Sequence, residues 1–453
     1  MRIKDLKASL SSFWGEFRKE KSGMMGLILF ALFIVVVLAE PLLTPYDKAE
    51  EEWGGTEYWK DLPMSVPPAW YNFFLSKDLP ETVKLSPDNV AEKGIGSMTR
   101  FQATFNYNFT HDVPPQDLIY CWNIPIPESS MISIELQTPS GEKLDLLKMP
   151  LSAGGNRIRI PILKDPKIDK TIKKILDDRG EKDANITNLI EVLFTEKGSY
   201  VINVTLFLSQ IPEISPEEMY FVLPGRVHGM MGTDTSKRDI WCGIIIGLKY
   251  ALLIGLLVAI VSVIVGVLWG ITSAYYGGWV DDIMQRIFEI FWSIPMLPIL
   301  IVLAAIFEPN LWIFIIIMCV LSWSGPVKVV RSMALQVKEE TFIEAAHGLG
   351  GSNVRIILKH IFPLLVPYAF ATMALFVPGA IVAEATVSVL GLGDATKLTW
   401  GQILRVAYEE GAVTSGLWWW VIFPGLAIAL VGMTFAFIGF AMDTILNPKL
   451  RTR

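Results

Sequence analysis

Six stretches of at least 18 residues carry no Asp, Glu, Lys or Arg: 22–39, 250–280, 290–307, 309–327, 360–383 and 411–442. A helix needs roughly 20 apolar residues to cross a bilayer, so the sequence predicts six transmembrane helices. Between the first and second stretches lies a long segment of ordinary soluble composition. Residues 45–226 hold 27 acidic and 19 basic side chains, while the rest of the chain is slightly basic and the whole sums to −6. With 52% hydrophobic and 19% charged residues, the chain is excluded as a soluble enzyme, a nucleic-acid binder or a disordered scaffold. The expected fold is an α-helical membrane protein with a mainly β extracellular insert between helices 1 and 2. Its expected domains are 1–43 (N-terminus and helix 1), 44–227 (the insert) and 228–453 (a core with helices 2–6).

The three cysteines, Cys121, Cys242 and Cys319, are too few for a disulfide framework. The four histidines, His111, His228, His347 and His360, are not at ligand spacing, and nothing points to a metal site or to catalytic residues. No Gly-Lys dipeptide occurs, so there is no phosphate-cradling P-loop, and neither a Zn-binding H-E-x-x-H nor a nucleophile-bearing G-x-S-x-G is present.

Basic residues set the expected orientation. Arg2, Lys4, Lys7, Arg18, Lys19 and Lys21 outnumber Asp5, Glu16 and Glu20 ahead of helix 1, which places that end in the cytoplasm. A signal peptide is the competing reading, but the apolar stretch is long and Glu40-Pro41 follows it without a clear cleavage site. Alternation then puts the insert outside. Residues 328–359 fall inside, with Lys328, Arg331, Lys338, Arg355 and Lys359, and so does the C-terminus, with Lys449, Arg451 and Arg453. This predicts a multi-pass plasma-membrane protein with both termini cytoplasmic. Trp418, Trp419 and Trp420 are expected to form an interfacial belt.

Within the insert the periodicity turns to two. Ile132, Ile134 and Leu136 alternate with polar residues before a Pro139-Ser140-Gly141 turn, as do Ile158 and Ile160, and Tyr200, Ile202, Val204 and Leu206. This predicts half-buried strands in a small β-sandwich, with a helical piece at 167–178. Residues 44–110 carry no assignable element. The three N-x-[ST] sequons, at Asn108, Asn185 and Asn203, all fall here, as on an exposed outer surface. A folded insert of this size is expected to form a platform at the outer mouth, docking a partner or shielding the face.

The segment between helices 4 and 5 is the most informative. It reads Glu344-Ala345-Ala346, then Gly348, Gly350 and Gly351, then Val354 to His360 and Pro363. The pattern predicts a helix, a glycine break and a second helix, with Pro363 where the chain re-enters the bilayer. Small residues on one face let a partner's backbone approach, and Glu344 offers a directional polar contact.

This segment resembles the EAA coupling loop (328–363) of ABC importer permeases. Glu344, Ala345, Ala346, Gly350 and Pro363 stand at that loop's spacing, with His360 and Phe362 departing from it. The run from Gly232-Thr233-Asp234 to Arg238-Asp239 resembles the G-T-D-x-x-G-R-D motif of the dipeptide/oligopeptide permeases, with Lys237 in place of a glycine. Glu384-Ala385, Ser388 to Gly393, Trp400-Gly401 and Phe423 to Ala427 match further motifs, as does Asn447 to Arg451. The likeness is to the C-type subunit and spans about 20–43 and 228–451; it says nothing of the insert.

The resemblance implies the transmembrane subunit of an ATP-driven importer of di- or oligopeptides, or of oligosaccharides on the same machinery. It implies a second, B-type permease, two ATPase subunits that bind ATP and Mg, an extracellular substrate-binding protein and surrounding membrane lipid, with no nucleic acid. No cofactor and no enzymatic activity are expected in this chain. Glu344, Ala345, Ala346, Gly348, Gly350 and Pro363 would couple to the ATPases. Gly232, Asp234, Arg238, Asp239 and Glu384 are candidates at the outer mouth. For Asp234, Arg238 and Asp239, anchoring of a turn competes with substrate contact. For Glu289 and Glu384, a place on the pathway competes with interfacial solvation. Gly266 and Gly270 form a G-x-x-x-G of the kind that brings helices together. A secondary transporter or channel would need an intramembrane charge relay or a repeat, neither of which is seen in the sequence, and a membrane-tethered receptor would bind its ligand through the outer β insert.

Overall fold

The computed structural model describes residues 14–95, 98–123, 130–151, 158–164, 189–209 and 218–446. It forms two compact units, Gly54–Ile240 and a helical unit of Met1–Trp53 with Trp241–Arg453. The expected limits of the insert, 44 and 227, thus move ten residues at its start and thirteen at its end. The reason is local packing. Trp53 lies against Gly243 and Glu50 hydrogen-bonds Lys249, both on the second helix, while Thr233 bonds to Pro63 and Val66 of the insert.

Among the described residues the insert unit contains nine strands: β1 (Val83–Leu85), β2 (Asn89–Ile95), β3 (Met98–Phe109), β4 (Ile119–Trp122), β5 (Ser130–Gln137), β6 (Lys143–Leu151), β7 (Ile158–Pro161), β8 (Gly198–Leu208) and β9 (Met219–Leu223). All the pairings are antiparallel. One sheet has the order β2-β3-β8-β5-β6 and the other β1-β9-β4-β7. The longest pairing runs from Thr99↔Leu208 to Phe109↔Gly198. Alternation along β3, β5 and β8 sends Phe101, Phe105, Ile134, Ile202 and Val204 into one core shared with Tyr120, Trp122 and Phe221 of the smaller sheet. Phe105 meets Phe221 edge-on at 4.9 Å between ring centroids. The two sheets therefore share a sandwich-like core, as the alternation implies. The helix expected at 167–178 lies outside the described residues. Strands β1, β2 and β3 fill part of the region to which the periodicity assigned no element.

The helical unit contains α1 (Lys21–Leu38), α2 (Ile240–Tyr276), α3 (Gly278–Ser293), α4 (Met296–Ile306), α5 (Leu311–Ser322), α6 (Val327–Lys338), α7 (Thr341–Gly348), α8 (Asn353–Ile356), α9 (Phe362–Val389), α10 (Trp400–Glu409) and α11 (Trp418–Leu446). Among the described residues, four helices are long and apolar enough to span a bilayer, or up to six if the bent pairs α3/α4 and α5/α6 each make one span. The bends are 78° and 48°. They fall at Pro295 and Pro326, where a ring replaces a backbone donor and breaks the helix. Stretch 290–307 is thus divided between two helices. Stretch 250–280 begins ten residues into α2, because Lys249 is held by the carboxylates of Glu40 and Glu50. Stretch 411–442 opens with turns at Gly411 and Gly416, both with positive φ, before α11 starts at Trp418.

Of the expected belt, Trp419 and Trp420 are instead buried in the protein, Trp420 fully, while Trp418 is half-buried. Glycines set the close helix contacts. A Cβ on Gly266 would lie 2.3 Å from the Trp323 carbonyl oxygen, and one on Gly270 2.9 Å from that of Val327. The G-x-x-x-G face of α2 therefore lies directly against the start of α6.

Candidate functional site: the hairpin between α6 and α9

Helix α7 carries Glu344, Ala345, Ala346 and Gly348, and it ends in a glycine cap. Gly350 has φ +76°. Its N–H donates to the His347 carbonyl at 3.0 Å, and the N–H of Gly351 donates to the Ala346 carbonyl at 3.0 Å. These two bonds are the paired closing contacts of a Schellman cap, and the left-handed position favours glycine. The hairpin rests on a buried base. Ile343, Ile356, Ile357 and Ile361 pack with Val330 and Ala334 of α6, and with Val267 and Ile271 of α2. The opposite face is open. Glu344, Ala345, His347, Gly348 and Gly350 are exposed and Ala346 is half-buried. Leu349 at the tip is 89% exposed, and a Cβ on Gly348 would meet nothing within 4 Å. Clefts flank α7 on both sides. One is lined by Tyr275, Lys338, Glu344, His347 and Asn353, and the other by Leu349, Gly350, Arg355 and His360.

The second helix of the hairpin differs from expectation, because it does not stop at His360. It runs from Asn353 through a π-turn at Ile357–Ile361 directly into α9. Pro363 supplies the cause. It offers no N–H to the Lys359 carbonyl and its ring crowds that carbonyl, so a widened turn keeps the chain helical. Pro363 itself is exposed in the first turn of α9.

The remaining candidates fall in two other places. In the insert unit, Gly232 has φ +76°. The buried Asp234 carboxylate accepts the backbone N–H groups of Ser236 (2.9 Å) and Arg238 (2.8 Å), and the Arg238 Nε at 2.5 Å. Asp239 faces His228 at 3.5 Å. Lys237, at the motif's glycine position, has φ +66°, so the left-handed turn is kept with a lysine in it. Lys237 Nζ donates to the Lys60 carbonyl at 2.9 Å.

In the helical unit, Glu384 is buried. Its Oε1 accepts hydroxyl donors from Ser388 and Thr399, each at 2.7 Å. Gly401 approaches the same carboxylate so closely that a Cβ would lie 3.0 Å from Oε2. Trp400 Nε1 donates to the Ile244 carbonyl at 3.0 Å, over Gly247. Glu384, Ser388, Thr399 and Trp400-Gly401 thus form one buried knot rather than a solvated interfacial group. Glu289, by contrast, pairs with Arg286 on an exposed face. Of the sequons, Asn108 is exposed, Asn203 accepts from Thr104 on the neighbouring strand at 3.1 Å, and Asn185 lies outside the described residues.

Two polar clusters escaped the sequence reading. Asp281 on α3 binds Arg331 on α6 through both carboxylate oxygens and also accepts the Ser273 hydroxyl. Sequence showed Arg331 only as one more inside charge. Glu50 accepts from Lys249 and from the Tyr250 hydroxyl. Burial pushes the Glu50 carboxyl up, but the hydrogen bonds from Lys249 and Tyr250 outweigh it and hold it below the ordinary carboxylate value. The signal available was the acidic run from Asp47 to Glu52, lying in the chain just after helix 1.

Over much of the helical unit the chain is similar to known transport proteins. Residues 262–452 match the binding-protein-dependent transport system inner membrane component, and residues 10–63 match the N-terminal TM domain of oligopeptide transport permease C. The dipeptide transport system permease protein DppC of Bacillus subtilis (strain 168) is 34% identical over 232 residues, 51% of this chain and 71% of that protein. The chain belongs to this permease family. The oligopeptide transport system permease proteins OppC of Bacillus subtilis (strain 168) and of Escherichia coli (strain K12) are also each 34% identical. They match over 229 and 221 residues, which is 50% and 49% of this chain and 74% and 72% of theirs. A permease of this family is a multi-pass membrane subunit of a binding-protein-dependent ABC transporter. It works with an ATPase, a binding protein and a partner permease, and it does not itself hydrolyse ATP. Residues 64–261 lie outside both matched spans.

Proposed function

We propose that this chain is the C-type permease subunit of an importer of di- or oligopeptides, with a B-type permease beside it and two ATPase subunits that bind ATP and Mg. The observation that carries this reading is the Glu344-to-Gly350 hairpin, a capped helical knob open on one face and seated on a buried isoleucine base. Such a knob can enter a groove on an ATPase subunit and move as a unit with the helices beneath it. The peptide substrate is supported by what the named relatives transport. On this reading the hairpin and both termini are cytoplasmic, the chain crosses the membrane six times, and the β unit faces outward, where a substrate-binding protein delivers solute. The buried Glu384 knot and the Asp234 turn hold their elements in place rather than touching solute.

The test is coupling. Glu344→Ala and Gly350→Pro should leave the protein in the membrane and abolish substrate-stimulated ATPase activity of the assembled complex; full stimulation in both variants would remove the hairpin from its role. Retention of peptides by the cognate binding protein would fix the substrate, and retention of oligosaccharides instead would reassign it.

A further inference from the structure

We propose that Asp281, Arg331, Tyr275 and Asn353 are positioning residues that pass movement of the hairpin to α2. The inference rests on the coupling role proposed above. The helices on either side of the hairpin turn, α6 on the entering arm and α8 on the leaving arm, are both tied to one turn of α2 at three successive residues, Arg331 by way of Asp281 on α3. On the entering arm, Arg331 grips Asp281 with Nε at 2.9 Å from Oδ1 and a second bond to Oδ2. Asp281 in turn accepts the hydroxyl of Ser273, which also receives Gln285 Nε2 at 2.9 Å. Lys338, in the last turn of the same arm, donates to the Ala274 carbonyl at 3.4 Å. On the leaving arm, the Tyr275 hydroxyl donates to Asn353 Oδ1 at 3.0 Å, on the first residue of α8.

Beneath these ties α2 packs closely against the start of α6. Gly266 and Gly270 bring the α2 backbone against the carbonyls of Trp323 and Val327, closer than any side chain would permit. Packed interfaces of this kind shift as units rather than deform continuously. A displaced hairpin therefore cannot slide past α2; it has to carry the helix with it. Helix α2 has 37 residues and so spans about 55 Å. Towards its other end it meets Glu50 through Lys249 and Tyr250, and Trp400 of the Glu384 knot through Ile244. One stiff helix thus joins the hairpin to the polar knots near its start. The bidentate form of the Arg331–Asp281 pair gives the link direction as well as strength, since a planar fork resists rotation in a way a single contact does not.

The experiment uses the full complex, with both permeases, the ATPases and the binding protein, in proteoliposomes. It reads solute transported per ATP hydrolysed, alongside co-purification of the ATPases. Asp281→Asn, Arg331→Gln and the double variant Tyr275→Phe/Asn353→Ala should each still bring down the ATPases and hydrolyse ATP, with transport per ATP falling at least tenfold. The exchange Asp281→Arg/Arg331→Asp should recover at least threefold over either single change. An unchanged ratio in all these variants would overturn the proposal. So would loss of ATPase co-purification in Asp281→Asn and Arg331→Gln with a normal ratio in Tyr275→Phe/Asn353→Ala, because the pair would then serve folding alone. Glu344→Ala measured in parallel separates the two readings. If it uncouples while the Asp281 and Arg331 variants do not, the hairpin couples and this link is wrong; if it too is fully coupled, the hairpin role fails first.

Discussion

In the β unit a cluster of large aromatic side chains is fully buried, whereas the helical unit buries fewer of them and brings its helices together at a series of glycines. Trp59, Trp122, Tyr120, Tyr200, Phe101, Phe105 and Phe221 are all fully buried in the insert. In the helices, Gly266 meets the Trp323 carbonyl, Gly247 the Trp400 ring and Gly255 Val377, each closer than a Cβ would allow. The difference follows from the solvent. In water, folding gains from each apolar area hidden, so large aromatic groups dominate. In lipid the surroundings are as apolar as the interior, so helices associate through close backbone approach and a few polar links.

The contrast breaks most readily at Gly266. Gly266→Leu should give no monodisperse protein on size exclusion in detergent, because the side chain would occupy the space of the Trp323 carbonyl. Gly94→Ala in the β unit, where a Cβ meets nothing, should be neutral. Phe105→Ala should destabilise the β unit by about 3–5 kcal/mol, the usual cost of emptying a buried aromatic site. That change would be read by denaturant titration, with helix packing and ATPase co-purification retained. Equal damage to both units from Phe105→Ala would dissolve the distinction.

A smaller effect is expected at Glu50. Its carboxyl is held below the ordinary value by Lys249 and Tyr250, so its stabilising contribution is full above the ordinary carboxylate pKa of about 4.3. That contribution fades as pH falls through the lower folded value. The Tm deficit of Glu50→Gln relative to the unaltered chain should therefore be present at neutral pH and shrink below about pH 4. A deficit that grows on acidification would mean the carboxyl is raised rather than lowered. The smallest change is at Lys237. Relieving its left-handed backbone by Lys237→Gly should stabilise the β unit by about 1 kcal/mol, less whatever the bond to the Lys60 carbonyl contributes. A loss above that amount would show the side chain matters more than the strain.

Much of this architecture is written in residue order. Charge-free stretches locate the helices because hydrocarbon admits no unpaired charge, and period two at Ile132, Ile134 and Leu136 locates β5. Strand β3 carries the same signal, with Phe101, Ala103, Phe105, Tyr107 and Phe109 alternating with Gln102, Thr104, Asn106 and Asn108. The Trp- and Pro-rich residues before it obscure that signal. Bends were harder to read, since composition has no direction: 290–307 is uniformly apolar, yet it turns at Pro295. The hairpin's residues were legible from spacing, as was the glycine cap. The Asp281–Arg331 pair was not, because its partners are 50 residues apart and only the fold brings them together.

The central claim is that the open face of the hairpin seats on an ATPase subunit. Ala345→Cys, in a chain whose own cysteines are replaced, can carry a short photo-activated cross-linker within the assembled complex. The expected result is a covalent adduct with an ATPase subunit whose yield changes between ATP-bound and nucleotide-free states. An adduct with the binding protein, or none at all while the complex remains intact, would contradict it.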